Sequence, residues 1–267
     1  MANQMNAPIV KNCAGLSATD HVKMSDPRTN AMGGQSIYLN KSVGSGKWVF
    51  QLNNVSVPFG VSSFQATDQV DAPAKLSVDI SFRDLESNPK LAEFHRFVKE
   101  VDAKVMQSAC DGLLGAPKSM EVVKELFKPT IRSDPNGKYS DTMKFGITVP
   151  GGHGVPSKLY NDKKVEVPLT VESIPKGAKI DLIVEMGAVW IIGKKNLGIT
   201  WRAPQIRIKE LGDKLADYAF VDSDDEGEQV SPPVSPPVVA AMKAVSSTAT
   251  TSDEDLTLEE LVNGVVV

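Results

Sequence analysis

Residues 179–209 read KIDLIVEMGAVWIIGKKNLGITWRAPQIRIK, and this stretch decides the fold. Apolar and polar residues alternate over residues 179–186 and again over residues 205–209, the period-two pattern of half-buried strands. Residues 188–192 and 197–202 flank Gly193, Lys194, Lys195 and Asn196, a sequence typical of a β-hairpin tip. The stretch therefore predicts several neighbouring antiparallel strands.

The rest of the chain adds further strands and two helices. Alternating patterns recur at residues 48–52, 75–82, 143–149 and 165–171. Asn88 and Pro89 open a long helical pattern that Gly112 and Gly115 end, and residues 119–128 predict a shorter helix before Pro129. Pro168 must lie at a sheet edge or bulge, because proline cannot donate to a strand ladder. We expect a mainly β protein, a small barrel of the OB-fold type with one long and one short helix inserted; a β-sandwich is the alternative.

Composition divides the chain into three regions. Residues 1–35 predict an irregular N-terminal arm, residues 36–215 the β domain, and residues 216–267 a disordered tail. Residues 1–220 hold 28 basic and 23 acidic residues, a net charge of +5, whereas residues 221–267 hold one basic and ten acidic residues, a net charge of −9. A mildly basic body joined to an acidic tail points to a polyanionic partner.

From the sequence we do not expect several classes of function. No apolar run approaches 20 residues and the start resembles no signal peptide, so we expect no membrane span and no export. Cys13 and Cys110 predict free thiols in a reducing, intracellular compartment. His21, His95 and His153 have no second ligand at metal spacing, and His95 is expected on the surface of its helix.

Two apparent ligand motifs fail on their context. The run from Gly151 to Gly154 lacks the spacing of a phosphate loop, and the acidic run from Asp222 has Pro233 where a calcium loop needs glutamate. We expect no metal, no cofactor and no enzymatic activity.

Cations and aromatic rings gather on the last strands. Proteins that bind single strands need basic groups for phosphates and ring faces on which bases stack. The candidate DNA-binding residues are Lys144, Phe145, Tyr160, Lys163, Lys164, Trp190, Lys194, Lys195, Trp201 and Arg202. The alternative is that Trp190 and Trp201 are core residues and that the lysines protect a sheet edge.

The order of these segments resembles a known family. Residues 174–190 and 198–211, preceded by residues 75–80, the helix from Pro89 and residues 143–145, are similar to the single-stranded DNA-binding protein of T7-like phages and its relatives in large DNA viruses of eukaryotes. The likeness spans residues 75–211 and implies an OB-fold with a single-strand groove, a homodimer, and a tail that competes with DNA. It assigns Trp190 and Lys144 to the groove. This tail ends in Gly264 and three valines, where the family ends in an aromatic residue.

Residues and resemblance together predict sequence-nonspecific binding of single-stranded DNA in viral replication, recombination or repair. The acidic tail would contact a DNA polymerase or helicase–primase, at the host nucleus or a cytoplasmic viral replication site. The tail residues expected to bind a partner are Asp253, Glu254, Asp255, Leu258 and Leu261. The alternative is a structural or virion-associated barrel that binds proteins and no nucleic acid.

Overall fold

The computed structural model describes residues 8–30, 33–43, 46–65, 74–151 and 154–211. They all belong to one of two compact units; the other, residues 214–255, lies outside these ranges, as do the tail residues expected to bind a partner. The strands are, in chain order, β1 (Val22–Met24), β2 (Arg28–Thr29), β3 (Gln35–Lys41), β4 (Val49–Ser56), β5 (Val61–Phe64), β6 (Lys75–Ser81), β7 (Phe127–Lys128), β8 (Ile131–Arg132), β9 (Thr142–Ile147), β10 (Lys158–Tyr160), β11 (Glu166–Val167), β12 (Lys179–Ile192) and β13 (Asn196–Glu210). The helices are α1 (Ala18–His21), α2 (Pro89–Ser108) and α3 (Met120–Leu126), with a π-helical turn at Ala109–Leu113 and a 3-10 turn at Val171–Ser173.

Five of the strands close a ring. β4 pairs with β6, β6 with β9, β9 with β13, β13 with β12, and β12 again with β4. Four of these pairings are antiparallel, and the one between β9 and β13 is parallel. The prediction of a mainly β protein is confirmed, and the ring arranges its strands around a common core.

Shorter strands extend the ring at both sides. β3 pairs with the second half of β12 and carries β1 and β2, whereas β10 pairs in parallel with β13 and carries β11. β11 ends at Val167, directly before Pro168, so the proline follows a strand at the end of the sheet order, in keeping with its missing N–H. The alternation over residues 165–171 yields only this two-residue strand and the 3-10 turn.

The interior is an aromatic cluster covered by α2. Phe50 of β4 packs edge-on against Phe94 of α2, and Phe94 packs in turn against the indole of Trp201. The ring of Phe145 also packs edge-on against that indole. Burial of side chains of this size contributes about 1.5–3 kcal/mol each, which makes the cluster the main hydrophobic support of the ring.

The sequence predicts α2 well. The side chain of Asn88 accepts a hydrogen bond from the amide of Leu91 at 3.2 Å, and Pro89 occupies the first turn, where no N–H is required. The α-helical pattern changes to the π-helical turn after Ser108, and Gly112 adopts a φ of 115° inside it. The short helix α3 is capped by Ser119.

The segment expected to be an irregular arm differs from that expectation. It contains α1, β1 and β2, and it is tied to α2 by two cations. The Lys104 ammonium donates to the carbonyls of Ala18 and Thr19, and the Arg96 guanidinium donates to the carbonyl of Leu16. Polar contacts made from a distant helix fix this segment, and its own sequence carries no periodic signal for them.

His95 also differs from its expected place on the surface of α2. Its side chain is only 13% exposed. The ring meets Phe82 edge-on and places Nε2 2.7 Å from a carboxylate oxygen of Asp141. None of the helices in the described ranges is long and apolar enough to cross a membrane.

Candidate nucleic-acid interface

A row of small residues crosses the outer face of the ring. Ser62 of β5 lies opposite Ser77 of β6, Ser77 lies opposite Gly146 of β9, and Gly146 lies opposite Arg202 of β13. Residues in register on neighbouring strands project from the same face. The row, here called the trough, is therefore a strip of low side-chain bulk about 14 Å long that ends at a guanidinium.

Larger side chains border the trough on both sides. On one side, two positions along β5 and β6 from Ser62 and Ser77, Phe64 lies opposite Lys75. The side chain of Phe64 is exposed. On the other side Lys144 lies opposite Asp79, whose carboxylate pairs with Arg132 at 2.6 Å. The two borders are about 13 Å apart. Arg202 ends the trough beside Glu185, its in-register neighbour on β12. The four cations thus outnumber the two carboxylates of the trough, so its charge favours an anionic chain.

Gly146 keeps the middle of the trough open. A Cβ atom at this position would contact only the Trp201 carbonyl oxygen, at 3.5 Å, an ordinary van der Waals distance. The fold therefore has room for a side chain at this position and does not itself require glycine. A larger side chain would project into the trough.

The predicted residues Lys144 and Arg202 lie at the trough, whereas Phe145 and Trp201 do not. The side chain of Phe145 is 0% exposed and that of Trp201 is 4% exposed, both in the aromatic cluster. Neither ring presents a face to solvent, so their prediction as DNA contacts does not fit this geometry. The physical reason is strand alternation: Lys144 and Arg202 point outward, so their immediate neighbours point inward.

A second group of predicted residues lies at β10 and the turn after it. Tyr160 lies opposite Arg207 of β13, and Lys163 and Lys164 follow on an exposed turn. The side chain of Asn161 accepts a hydrogen bond from the Val165 amide at 2.9 Å and closes this turn, in which Lys164 has a φ of 64°.

The third group lies at the β12–β13 hairpin. Three residues, 193–195, connect the paired Ile192 and Asn196. Gly193 and Lys194 have positive φ values of 56° and 58°, and Lys194 and Lys195 are exposed at the tip. Trp190 is half-buried and lies across Gly198, where a Cβ would come within 2.5 Å of the indole. The indole therefore needs glycine on the neighbouring strand.

The outer face of β13 connects the three groups. Gly198, which lies under Trp190, and Arg207, which pairs with Tyr160, are nine residues apart on this strand, about 30 Å, with Arg202 between them. The structure thus brings Lys144 and Arg202 together and Tyr160 and Lys164 together, and places Trp190 and the hairpin lysines further along the same strand.

The charges of the predicted lysines are not compensated by carboxylates in the described part of the chain. Among the described residues, no carboxylate pairs with the ammonium groups of Lys144, Lys163, Lys164, Lys194 or Lys195. By contrast, Lys158 pairs with Glu166 and Lys179 with Asp84. Cations that pair with no carboxylate in the described ranges can neutralise phosphates.

Sequence reasoning missed Phe64, Lys75 and Arg132. Phe64 ends a four-residue strand and Arg132 belongs to a two-residue strand, too short for an alternating pattern to assign a face. Lys75 opens a recognised strand, but only the pairing of β6 with β5 brings it beside an aromatic ring.

Several observations on the described residues concern metal binding and nucleophilic chemistry. No three His, Cys, Asp or Glu side chains in them come close enough to hold a metal ion. Burial raises the pKa of the Cys13 thiol to about 12, which keeps it protonated and a poor nucleophile. Burial also raises the pKa of Asp102 to about 6, but this carboxyl accepts hydrogen bonds from the amide and hydroxyl of Thr130 and serves to hold the chain after α3.

Comparison with known proteins returns phage proteins among solved structures. No family model matches the chain, and no curated protein sequence matches it. The single-stranded DNA-binding protein from bacteriophage Enc34 in complex with ssDNA is similar at a TM-score of 0.41 and 10% identity, over 73% of this chain and 98% of that one. The single-stranded DNA-binding protein encoded by bacteriophage T7 is similar at a TM-score of 0.41 and 13% identity, over 65% of this chain and 98% of that one. At such low similarity, the function has to be argued from the site itself.

Proposed function

We propose that this protein binds single-stranded DNA without marked sequence preference, in the trough and along the outer face of β13, and that it catalyses no reaction there. The observation that carries the proposal is the in-register row Ser62, Ser77 and Gly146, bordered by cations and by the exposed ring of Phe64. Cations along a groove and ring faces beside it are the two features that single-strand binding requires.

We also propose that the ring is an OB-type barrel. Numbering β4, β6, β9, β12 and β13 as strands 1 to 5 gives the spatial order 1-2-3-5-4-1, with strands 3 and 5 parallel. Barrels of this type bind oligonucleotides on the face of strands 2 and 3. In this protein those strands are β6 and β9, which form the floor of the trough.

The test replaces Gly146 by Leu and Lys144 by Ala in the full chain. Binding to a fluorescent dT oligonucleotide is measured by anisotropy at two salt concentrations. We expect Gly146→Leu to melt near the wild-type temperature yet to bind at least about tenfold more weakly, because its side chain fills the trough. Lys144→Ala should lower the slope of log affinity against log salt by about one phosphate contact.

Lys124→Ala is the matched control, because Lys124 is an exposed lysine of α3 outside the trough. It should leave the salt slope unchanged. Wild-type affinity in a folded Gly146→Leu variant would remove the trough from the proposal. A wild-type protein without salt-dependent binding would favour a protein-interaction barrel instead.

The biological setting extends the proposal. We propose that the chain is a distant relative of the T7-like phage family and acts in viral DNA replication, recombination or repair as a homodimer. The tail around Asp253–Asp255, Leu258 and Leu261 would recruit a polymerase or helicase–primase at the host nucleus or a cytoplasmic viral replication site. Light scattering during gel filtration tests the dimer, and co-sedimentation of polymerase with wild-type and Leu258→Ala protein tests the tail.

A further inference from the structure

A cavity of about 310 Å³ opens beside the second half of β13, at a distance along the strand from the trough. Two in-register rows form it: Tyr160, Arg207 and Asp181 in one row, and Gln205, Ile183 and Gln51 in the next. Its volume lies at the lower end of the range for small-molecule sites, which suits a single nucleotide. We refer to it as the Tyr160 pocket.

Part of the pocket wall is committed to the fold. Arg207 donates through Nε to Asp181 at 3.0 Å, and Asp181 also accepts the amide of Asn54 at 2.8 Å. The guanidinium is therefore held in place and its charge is compensated. Leu182 and Ile206 are almost fully buried and provide an apolar base beneath these groups.

Three of the remaining polar groups of the wall are without a hydrogen bond in the described part of the chain. The Tyr160 hydroxyl, the Lys164 ammonium and the Gln205 amide make no hydrogen bond or ion pair with any described residue. The Gln51 amide nitrogen donates to Asn53 at 2.8 Å, so the amide oxygen of this lining residue is the group left to accept a hydrogen bond from a ligand. One cation, one phenol ring and two amides thus surround an apolar base.

This set of groups matches the parts of a nucleotide. An ammonium binds a phosphate, a phenol ring stacks on a base, and an amide offers a donor and an acceptor to the edge of an unpaired base. We propose that the Tyr160 pocket holds one unstacked nucleobase of the bound single strand, with Tyr160 on its face, Gln205 and Gln51 at its edge and Lys164 on its phosphate. This inference rests on the proposed function and adds a base-dependent contact to it.

The experiment compares a dT oligonucleotide with an abasic oligonucleotide of the same length, using the full chain. Tyr160→Leu and Gln205→Leu should weaken binding of the dT oligonucleotide about tenfold and leave binding of the abasic one unchanged. Tyr139→Leu is the matched control, because Tyr139 is an exposed tyrosine outside the pocket. It should change neither affinity.

A second measurement remains informative if a variant is unstable. In the wild-type protein, side-chain amide NMR signals of Gln51 and Gln205 should shift on titration with dTMP or dAMP and stay in place with inorganic phosphate. Equal losses on the dT and abasic oligonucleotides in the Tyr160 and Gln205 variants would overturn the pocket. Shifts with dAMP but no change in oligonucleotide binding would overturn it in favour of a site for free nucleotides.

These failures differ from failure of the proposed function. If the pocket variants bind normally while Gly146→Leu does not, the result supports binding in the trough and contradicts the proposal for the Tyr160 pocket. If wild-type protein binds neither oligonucleotide, the function itself falls.

Discussion

Trp190 and Trp201 lie on the two paired strands of one hairpin but in opposite surroundings. Trp201 is enclosed by Phe50, Phe94 and Phe145, whereas Trp190 is half-buried over Gly198. The buried indole N–H of Trp201 has no hydrogen-bond partner within the described structure. This unsatisfied donor reduces the stability that the protein gains from burying Trp201. The contribution from packing of the ring against its aromatic neighbours is larger than that cost.

Replacing each tryptophan by Ala should therefore have different effects. Trp201→Ala should lower the free energy of unfolding by about 3–5 kcal/mol, because it leaves a cavity in the aromatic cluster. Trp190→Ala should cost clearly less stability and should weaken binding of a long dT oligonucleotide. Urea titrations and anisotropy measure the two quantities. A larger stability loss for Trp190→Ala than for Trp201→Ala would contradict this placement of the rings.

A bulge explains why the sequence did not distinguish the two tryptophans. The alternation of Ile180, Leu182, Val184 and Met186 toward the core, continued without interruption, would point Trp190 inward. The strand register shifts between Met186 and Val189, after which Val189 and Ile191 face the core and Trp190 faces outward. A shift of one residue exchanges the two faces of a strand, and a sequence pattern alone does not locate it.

The long helix α2 does more than cover the core, because its Asp102 holds the segment that follows α3. The carboxyl accepts from the Thr130 amide at 2.9 Å and from the Thr130 hydroxyl at 2.6 Å, and it is only 7% exposed. Burial raises its pKa from 3.8 to about 6. The native state therefore favours the protonated carboxyl more than the unfolded chain does.

This shift predicts a pH dependence of stability with a defined sign. Because the folded pKa is raised, the contribution of Asp102 is fully present below pH 3.8 and is lost as pH rises through about 6. Over this pH range Asp102 should lower the free energy of unfolding of the wild type by about 2–3 kcal/mol. Asp102→Asn keeps an acceptor for the Thr130 amide and should not show this decrease. Urea unfolding of both proteins between pH 4 and 7 measures the difference.

Asp84 provides a control of opposite sign. The hydrogen bond from Lys179 lowers the pKa of Asp84, so its contribution is present above the ordinary pKa and is lost as pH falls. Asp84→Asn should therefore destabilise the protein most near neutral pH. A pH profile for Asp102→Asn that parallels the wild type would contradict the role given to Asp102.

Local sequence signals predicted where helices and strands form better than they predicted which strands pair with one another. Asn88, Pro89 and the spacing of Leu91, Phe94 and Val98 are contained in one segment, and α2 forms as they indicate. The trough instead depends on the register of Ser62, Ser77, Gly146 and Arg202, which come from four distant strands. No single segment carries that information, so the sequence indicated cations and rings but not the surface on which they meet.

At the scale of the whole molecule, the two parts of the chain carry net charges of opposite sign. Residues 1–220 carry +5 and residues 221–267 carry −9, so the acidic tail outweighs the body that carries the trough. An acidic segment tethered to the DNA-binding body would compete with DNA for the same cations at a high effective concentration. Competition of this kind depends on charge and not on the order of the tail residues.

Neutralising the tail should therefore release the interface. The variant replaces all ten Asp and Glu residues of 221–267 by Asn and Gln, which keeps the chain length. We expect tighter binding of a dT oligonucleotide at low salt, because the competing anion is removed, and convergence with the wild type at high salt, where screening suppresses both interactions. Deletion of residues 221–267 should have the same effect, and a variant with the ten acidic residues shuffled within the tail should behave as wild type. If the neutralised chain and the wild type have equal affinity at every salt concentration, the tail does not compete for the trough, and its acidic residues must act on another partner.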